Sequence, residues 1–411
     1  MFKQNGLNAL KDRGFVYQMT HADEIEKMLT QEPTVFYLGI DPTADALHIG
    51  HFFSLVMFRI LQDHGHKGIL VIGGATALIG DPTGKKDMRK MLTKEQVKHN
   101  TDELMALVKR FIKMDGENPA TVLNNHDWFH DYAYIDFMRE IGVHFNVNTM
   151  LSSEAYKNRL QEGGLTFLEM GYMLMQAYDF VYLNRKYGCS LQIGGSDQWG
   201  NIVAGVDLGR KLALTQGTES NLSGLTCPLL TTSDGIKMGK TEKGTLWVSR
   251  DKTSVYDFYQ HFYNALDADV ERLLRFFTAI PVSEIQALCA SDIREAKRRM
   301  AFEVTKLVHG EEEAKAAEET SKLLFSGNLA NENAPTVEIP SARTQSILAV
   351  DFLALSGIIA SKSEGRRLID GGAFTIDGEK VTAYDQTFTY NTGATVLVKK
   401  GKKNFVQVKI V

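Results

Sequence analysis

Two short apolar runs, Thr34–Ile40 (TVFYLGI) and Lys67–Gly73 (KGILVIG), constrain this chain more than any other feature. Both are rich in β-branched and aromatic residues, and neither alternates apolar with polar. Such a run buries both faces, as a strand does inside a parallel sheet. Between them, Leu47–His64 sets Ile49, Phe52, Phe53, Val56, Ile60 and Leu61 on one helical stripe. Strand, helix and strand in this order make a βαβ unit. Further strand-like runs follow at Thr121–Leu123, Ser190–Ile193 and Leu225–Leu230, with helical segments including Glu95–Lys113 and Glu169–Lys186 between them. The pattern predicts an α/β fold, a Rossmann-like open parallel sheet with helices on both faces.

The periodicity turns helical after residue 250, through Val270–Ala279, Val282–Ala290, Ile293–Val308 and the Ala-, Glu- and Lys-rich Glu311–Leu324. Ser326–Ser341 is polar, holds two of the eight prolines and has no period, so it reads as a linker. Two helices, Ile347–Gly357 and Ser363–Asp370, then precede short strands and a basic hairpin around Lys399–Lys403. The expected organisation is a catalytic domain (1–250), a helical domain (251–325), a linker (326–345) and a small α+β domain (346–411) able to fold independently. A hydrophobic content of 44% with 23% charged residues excludes a disordered chain. No apolar stretch reaches about 20 residues, and the polar N-terminus lacks a signal-like apolar region. Three widely spaced cysteines, Cys189, Cys227 and Cys289, fit a reducing cytoplasm. Residues 341–411 carry ten basic and six acidic side chains, the rest of the chain 36 and 44. A basic tail on an acidic body suits a polyanion, and a solvated lysine-rich end suits the same numbers equally well.

Two segments carry chemistry. Asp41–His51 (DPTADALHIGH) lies where the first strand gives way to a helix, the edge at which open α/β sheets bind ligands. A helix N-terminus there offers free N–H groups to phosphate. His48 and His51, i,i+3 with no carboxylate in metalloprotease order, do not read as a metal site. Surface histidines on a capped helix are the plainer alternative. Ile236–Thr241 (IKMGKT) follows a turn and places two lysines around a glycine, able to close over a triphosphate; a solvated turn looks the same. Gly80–Lys85 is one residue short of a P-loop, and Lys86 stands where Ser or Thr belongs.

Together, His48-Ile-Gly-His51 and Lys237-Met-Gly-Lys240-Thr resemble the paired signatures of class I aminoacyl-tRNA synthetases. Tyr37–Thr43, Gly73–Thr76, Gly80–Lys85, Tyr172–Asp179 and Leu191–Asn201 narrow the resemblance to the bacterial-type tyrosyl branch, in the family's order along essentially the whole chain. The resemblance implies that Tyr37 and Asp179 meet the substrate phenol, that Asp81, Tyr172 and Gln176 meet its ammonium, and that Gln192 and Gln198 orient its carboxylate. Tyr172, Gln176 and Asp179 fall at i, i+4 and i+7, one helix face. An ordinary core helix is the competing reading, which three polar groups on one face disfavour. For ATP the resemblance implies Gly39, Asp41, Thr43, His48, Gly50, His51, Gly195, Asp197, Lys237, Met238 and Lys240, with Lys85 and Arg89 gripping pyrophosphate beside the two loop lysines. Thr43, His48, Lys85, Arg89, Lys237 and Lys240 would be the catalytic set. They would act by positioning and charge stabilisation, since the substrate carboxylate is itself the nucleophile.

Three positions depart from the common pattern. Gly239 stands where class I motifs often carry serine, Leu38 where a small or polar residue is usual, and His51 where asparagine also occurs. In the tail, Ser361–Gly372 and Asp377–Val381 resemble an S4-type RNA-binding domain, with Lys362, Arg366 and Arg367 as phosphate contacts. The resemblance further implies ATP with Mg2+, L-tyrosine and tRNA(Tyr) as ligands, and a homodimer with one tRNA bridging both subunits. An RNA-binding or scaffolding protein that has lost catalysis, a tryptophan ligase and a small nucleotidyltransferase are the alternatives. Intact signatures oppose the first, the Tyr37/Asp179 pair opposes the second, and the second lysine motif with the RNA-binding tail opposes the third.

Overall fold

In the computed structural model, which describes residues 5–83, 91–241, 244–326, 336–401 and 404–411, the first βαβ unit forms the centre of a six-stranded sheet. The strands are β1 (Gln18–Met19), β2 (Val35–Ile40), β3 (Lys67–Ile72), β4 (Thr121–Asn124), β5 (Leu191–Gly195) and β6 (Ser223–Cys227). Their order across the sheet is β1-β6-β5-β2-β3-β4. Every pair is parallel except the edge strand β1 against β6. From β2 the chain winds outward through β3 and β4, then returns and winds the other way through β5 and β6. That reversal between β2 and β5 is a topological switch point.

Both faces of the central strands are buried, as their unbroken apolar sequence requires. Phe36 and its register partner Gly68 face the Ile49–Asp63 helix, where the Phe58 ring meets Phe36 edge-on at 4.8 Å. Tyr37, Ile69 and Val71 face the other way, into a core shared with Phe180 and Leu208 of the Phe167–Tyr187 and Trp199–Thr215 helices. The sequence-predicted strands and helices of this region are present with ends shifted by a few residues. The antiparallel β1 was not legible, because a two-residue edge strand has no period to detect.

The chain divides into two compact units, residues 1–249 with 266–293, and 250–265 with 294–411. The helices expected together over 251–325 are therefore shared between them. Phe276 and Phe277 explain the first assignment: they pack on Phe53, and Phe276 also on Phe15, while Arg13 donates to the carbonyls of Arg275 and Ile280. In the second unit, Gln260 of the Val255–Tyr263 helix donates to Ser321 of the Glu311–Ser326 helix at 2.8 Å. A five-stranded sheet follows, ordered Glu379–Lys380, Phe374–Ile376, Thr395–Lys400, Asn404–Ile410, Thr336–Ile339. Phe352, Ile369, Phe374, Val398 and Val408 form its core with two short helices.

Two expectations change here. The linker assigned to 326–345 contains a strand, Thr336–Ile339, paired parallel to Asn404–Ile410, because Val337 and Ile339 reach the tail's core. Residues 327–335 lie outside the described residues. The tail is also not a unit by itself, since Tyr256 is buried against Leu397. No described helix is long and apolar enough to cross a membrane.

Gly68 is set by packing. A Cβ there would lie 2.1 Å from the Phe58 ring. Gly68→Ala is expected to destabilise the protein by about 1–3 kcal/mol through overpacking. In urea unfolding, Phe58→Leu should cost less in the Gly68→Ala background than in the parent, whereas strictly additive losses would show that the ring is not the obstacle.

Candidate active site

A cleft of about 510 Å3 opens at the carboxyl ends of β2 and β5, at the switch point. It is lined by almost every expected residue among those described: Tyr37, Gly39, Asp41, Thr43, His48, Gly50, His51, Asp81, Tyr172, Gln176, Asp179, Gln192, Gly195, Asp197, Gln198, Lys237 and Met238. Lys85 and Arg89 lie outside the described residues, as does the Lys240 side chain.

One part of the cleft is polar yet buried. Tyr37 and Gln192 are register partners on adjacent strands, so their side chains project from the same face. The Phe167–Tyr187 helix supplies Tyr172, Gln176 and Asp179. Its start is fixed by a capping box, Thr166 with Glu169, and its end by Gly188 at φ 67°. Glu169 also pairs with Arg159 at 3.0 Å, both buried. Asp179 accepts from Trp128 Nε1 at 2.8 Å and from Asn125 Nδ2 at 3.2 Å. Asn125 also donates to Thr76 Oγ1, whose hydroxyl donates to Asp41 Oδ1 at 2.7 Å; Tyr172 Oη donates to Asp41 Oδ2 at 2.9 Å. One hydrogen-bonded chain thus runs from Trp128 to Tyr172. Three other buried atoms, Tyr37 Oη, Gln176 Oε1 and Gln192 Oε1, have no hydrogen-bond partner among the described residues. Buried polar atoms are normally paired, so this cluster has the form of a site that pairs with a polar ligand.

The other part joins the two signature segments. His48 caps the Ile49–Asp63 helix, its Nδ1 accepting from the N–H groups of Gly50 (3.1 Å) and His51 (3.2 Å). With Nδ1 an acceptor, the neutral ring carries its proton on Nε2. The His48 and His51 rings stack at 3.6 Å. Beyond the lysine loop, Leu246–Val248 is bonded to the same helix start: Ile49 N–H donates to Leu246 O and Val248 N–H to Leu47 O. Gly239 has φ +89°, and a Cβ there would lie 2.6 Å from Ile49 Cγ2. Glycine in place of the more usual serine is thus explained by a left-handed backbone pressed against the histidine segment.

Known proteins resemble this chain along most of its length. A family model described as tRNA synthetases class I (W and Y) matches residues 29–326, and one described as a tyrosine–tRNA ligase SYY-like C-terminal domain matches 328–408. The chain is 49% identical over 413 residues to a tyrosine–tRNA ligase of Clostridium botulinum, with 99% of each covered, and 47% identical to that of Acetivibrio thermocellus, with 98% of each covered. This chain belongs to the tyrosine–tRNA ligase family of class I synthetases. A C-terminally truncated mitochondrial tyrosyl-tRNA synthetase of Aspergillus nidulans matches with TM-score 0.68 and 30% identity, over 79% of this chain and 95% of that one. A tryptophanyl-tRNA synthetase of Encephalitozoon cuniculi, at TM-score 0.54 and 13% identity, shares the fold alone.

Within this family fold, several residues hold positions that the motifs did not convey. Asp41, read as an ATP ligand, accepts hydrogen bonds from Tyr172 and Thr76. Gln198 donates to Asp81 at 2.7 Å. Asn125 and Trp128 were missed: they follow β4 and belong to no motif, and only a polar residue just past a strand end hinted at Asn125. In the tail, Lys362 pairs with Asp351 at 2.7 Å, Arg366 lies over the Tyr384 ring, and Arg367 is exposed.

Burial pushes the Asp179 carboxyl from 3.8 up to about 8, opposed by the bonds from Trp128 and Asn125. Its folded value is raised, so its contribution to stability is full below the unfolded value and is lost as pH rises through the folded one. Asp179→Asn removes that titration. The variant should therefore gain stability relative to the parent between about pH 5 and about pH 8. Urea midpoints that fail to diverge over that range would show that the carboxyl is ionised throughout.

Proposed function

We propose that this protein activates L-tyrosine with ATP, forming tyrosyl-adenylate and releasing pyrophosphate, and then transfers the tyrosyl group to the 3′ end of tRNA(Tyr). The observation that carries the reading is the buried Tyr37 hydroxyl, without a hydrogen-bond partner among the described residues, in the same cleft as Asp179. A substrate phenol can donate to one and accept from the other, depending on their protonation. Phenylalanine would leave the Tyr37 hydroxyl desolvated and unpaired and would bring no further partner to Asp179, which keeps only its bonds from Trp128 and Asn125, and an indole has no oxygen to offer.

In this mechanism Asp81, Tyr172 and Gln176 hold the ammonium, with Gln192 and Gln198 beside the carboxylate. The carboxylate attacks the α-phosphorus of ATP, so no side chain acts as nucleophile. His48 Nε2–H and Thr43 reach phosphate oxygens, His51 and Asp197 the ribose. Gly39, Gly50, Gly195 and Met238 admit the nucleotide, and Asp41 supports the pocket from behind Tyr172. Lys237, with Lys240, Lys85 and Arg89, takes up charge on the departing pyrophosphate. Magnesium would accompany ATP as part of the substrate and would supply charge neutralisation to its phosphates. Lys362, Arg366 and Arg367 contact tRNA phosphates. The reading includes a homodimer, supported by the exposed Ile135, Val143, Val147 and Phe167, and a cytoplasmic location.

Pyrophosphate exchange measured with each of the twenty amino acids tests the reaction, and exchange should depend on tyrosine alone. Tyr37→Phe should lower the ratio of tyrosine to phenylalanine kcat/KM by roughly ten-fold. Exchange driven equally well by tryptophan would overturn the assignment.

The tail reading has its own measurement. Removing one phosphate-binding cation lowers the slope of log K against log salt by about one. Arg366→Ala with Arg367→Ala should weaken tRNA binding and flatten that slope by up to about two. An unchanged slope would remove these arginines from the interface.

A further inference from the structure

Tyr384 is the one exposed aromatic side chain among the described residues of the C-terminal segment 336–411, at 44% exposure. The other aromatics near it, Phe352, Phe374, Phe388 and Tyr390, contribute to the core. Burying a tyrosine ring is favourable, so an aromatic left out on a domain with a well-filled core calls for a reason. A cation meets it directly: the Arg366 guanidinium lies over the ring at 5.2 Å from the centroid, and Arg367, next on the same helix, is exposed, while on the tyrosine's own turn the following residue, Asp385, is exposed as well. Both arginines come from the Lys362–Asp370 helix, whose start is capped by Ser361. The turn carrying Tyr384 is held by the backbone. Val350 N–H donates to the Tyr384 carbonyl at 3.2 Å, and Ala349 N–H to the Gln386 carbonyl at 2.7 Å. The ring is thus presented on a fixed turn, with a planar cation on it. The nearby carboxylate of Asp351 is paired with Lys362.

A flat π-face backed by a guanidinium, next to further positive charge, is the arrangement that binds an unpaired base while the backbone meets the cations. We propose that Tyr384 and Arg366 form a stacking platform for one unpaired nucleotide of RNA. The inference rests on the proposed tRNA binding and extends it, because phosphate contacts alone give no use to the ring. Stacking and phosphate binding also differ in a measurable way. Removing a stacked base lowers affinity without releasing fewer counterions, so the salt slope stays constant.

The experiment uses the full chain with a tyrosine-accepting tRNA transcript, by filter binding or anisotropy, across a series of salt concentrations. Tyr384→Leu, which keeps apolar bulk but no π-face, should weaken binding roughly five- to a hundred-fold at every salt concentration, with the slope unchanged. Tyr384→Phe and Tyr384→Trp should bind within about two-fold of the parent, since both keep the stacking face. They also keep the proposal testable should the leucine variant fold poorly. Parent-like binding by Tyr384→Leu overturns the proposal. A flattened slope for Tyr384→Leu overturns it too, because the ring would then act only by orienting Arg366 toward phosphate. Equal losses for leucine, phenylalanine and tryptophan overturn it by assigning the effect to the hydroxyl. A parent protein that does not bind the transcript would instead sink the tRNA binding on which the inference stands.

Discussion

Parallel pairing of β2 with strands from two different excursions of the chain is the constraint on which the site depends. β3 and β5 flank β2 in the same orientation, and the chain leaves β2 in one direction and returns on its other side. Parallel neighbours require crossover connections, and these place helices on both faces while leaving a crevice where the winding reverses. Everything chemical in the first unit gathers there. Tyr37 and Gln192 reach the crevice from adjacent strands, and the Ile49–Asp63 helix begins at its edge.

The crevice contains two kinds of polar group, and the difference follows from packing. Asp41, Thr76, Asn125, Asp179, Trp128 and Tyr172 satisfy one another in a continuous hydrogen-bonded chain. Such a network is rigid because breaking any link leaves a desolvated group. Tyr37, Gln176 and Gln192 stand beside it with buried atoms unpaired among the described residues. Rigid groups orient, and unpaired groups discriminate, since a ligand lacking the matching atoms incurs the full desolvation cost. The sharply raised affinity of Asp179 for its proton belongs to the same physics, burial outweighing the two donors that face it.

The lysine loop and the segment after it meet the histidine segment, far away in sequence: Trp247 forms a short antiparallel bridge with His48, and Gly239 of the loop lies against Ile49. The choice of glycine over serine in this signature is therefore not a weakening of the motif. It is the residue that fits a left-handed backbone at close approach.

The amino-acid sequence alone determined the βαβ core, the order of strands and helices along the chain, and most of the residues lining the cleft. Those features rest on local signals: unbroken apolar runs, helical stripes, and short segments in which glycine, histidine and lysine recur at fixed spacing. Tertiary structure decided what local signals do not encode. Residues 266–293 pack with the first unit because Phe276 and Phe277 meet Phe15 and Phe53, over 200 residues away in sequence. Thr336–Ile339 is a strand because the end of the chain lies alongside it. Asn125 and Trp128 reach Asp179 across more than 50 residues, and Asp41 turns toward Tyr172 in a contact spanning 131. A hydrogen bond between distant residues depends on how the sheet brings its strand ends together, and that arrangement leaves no periodic trace in the order of the amino acids.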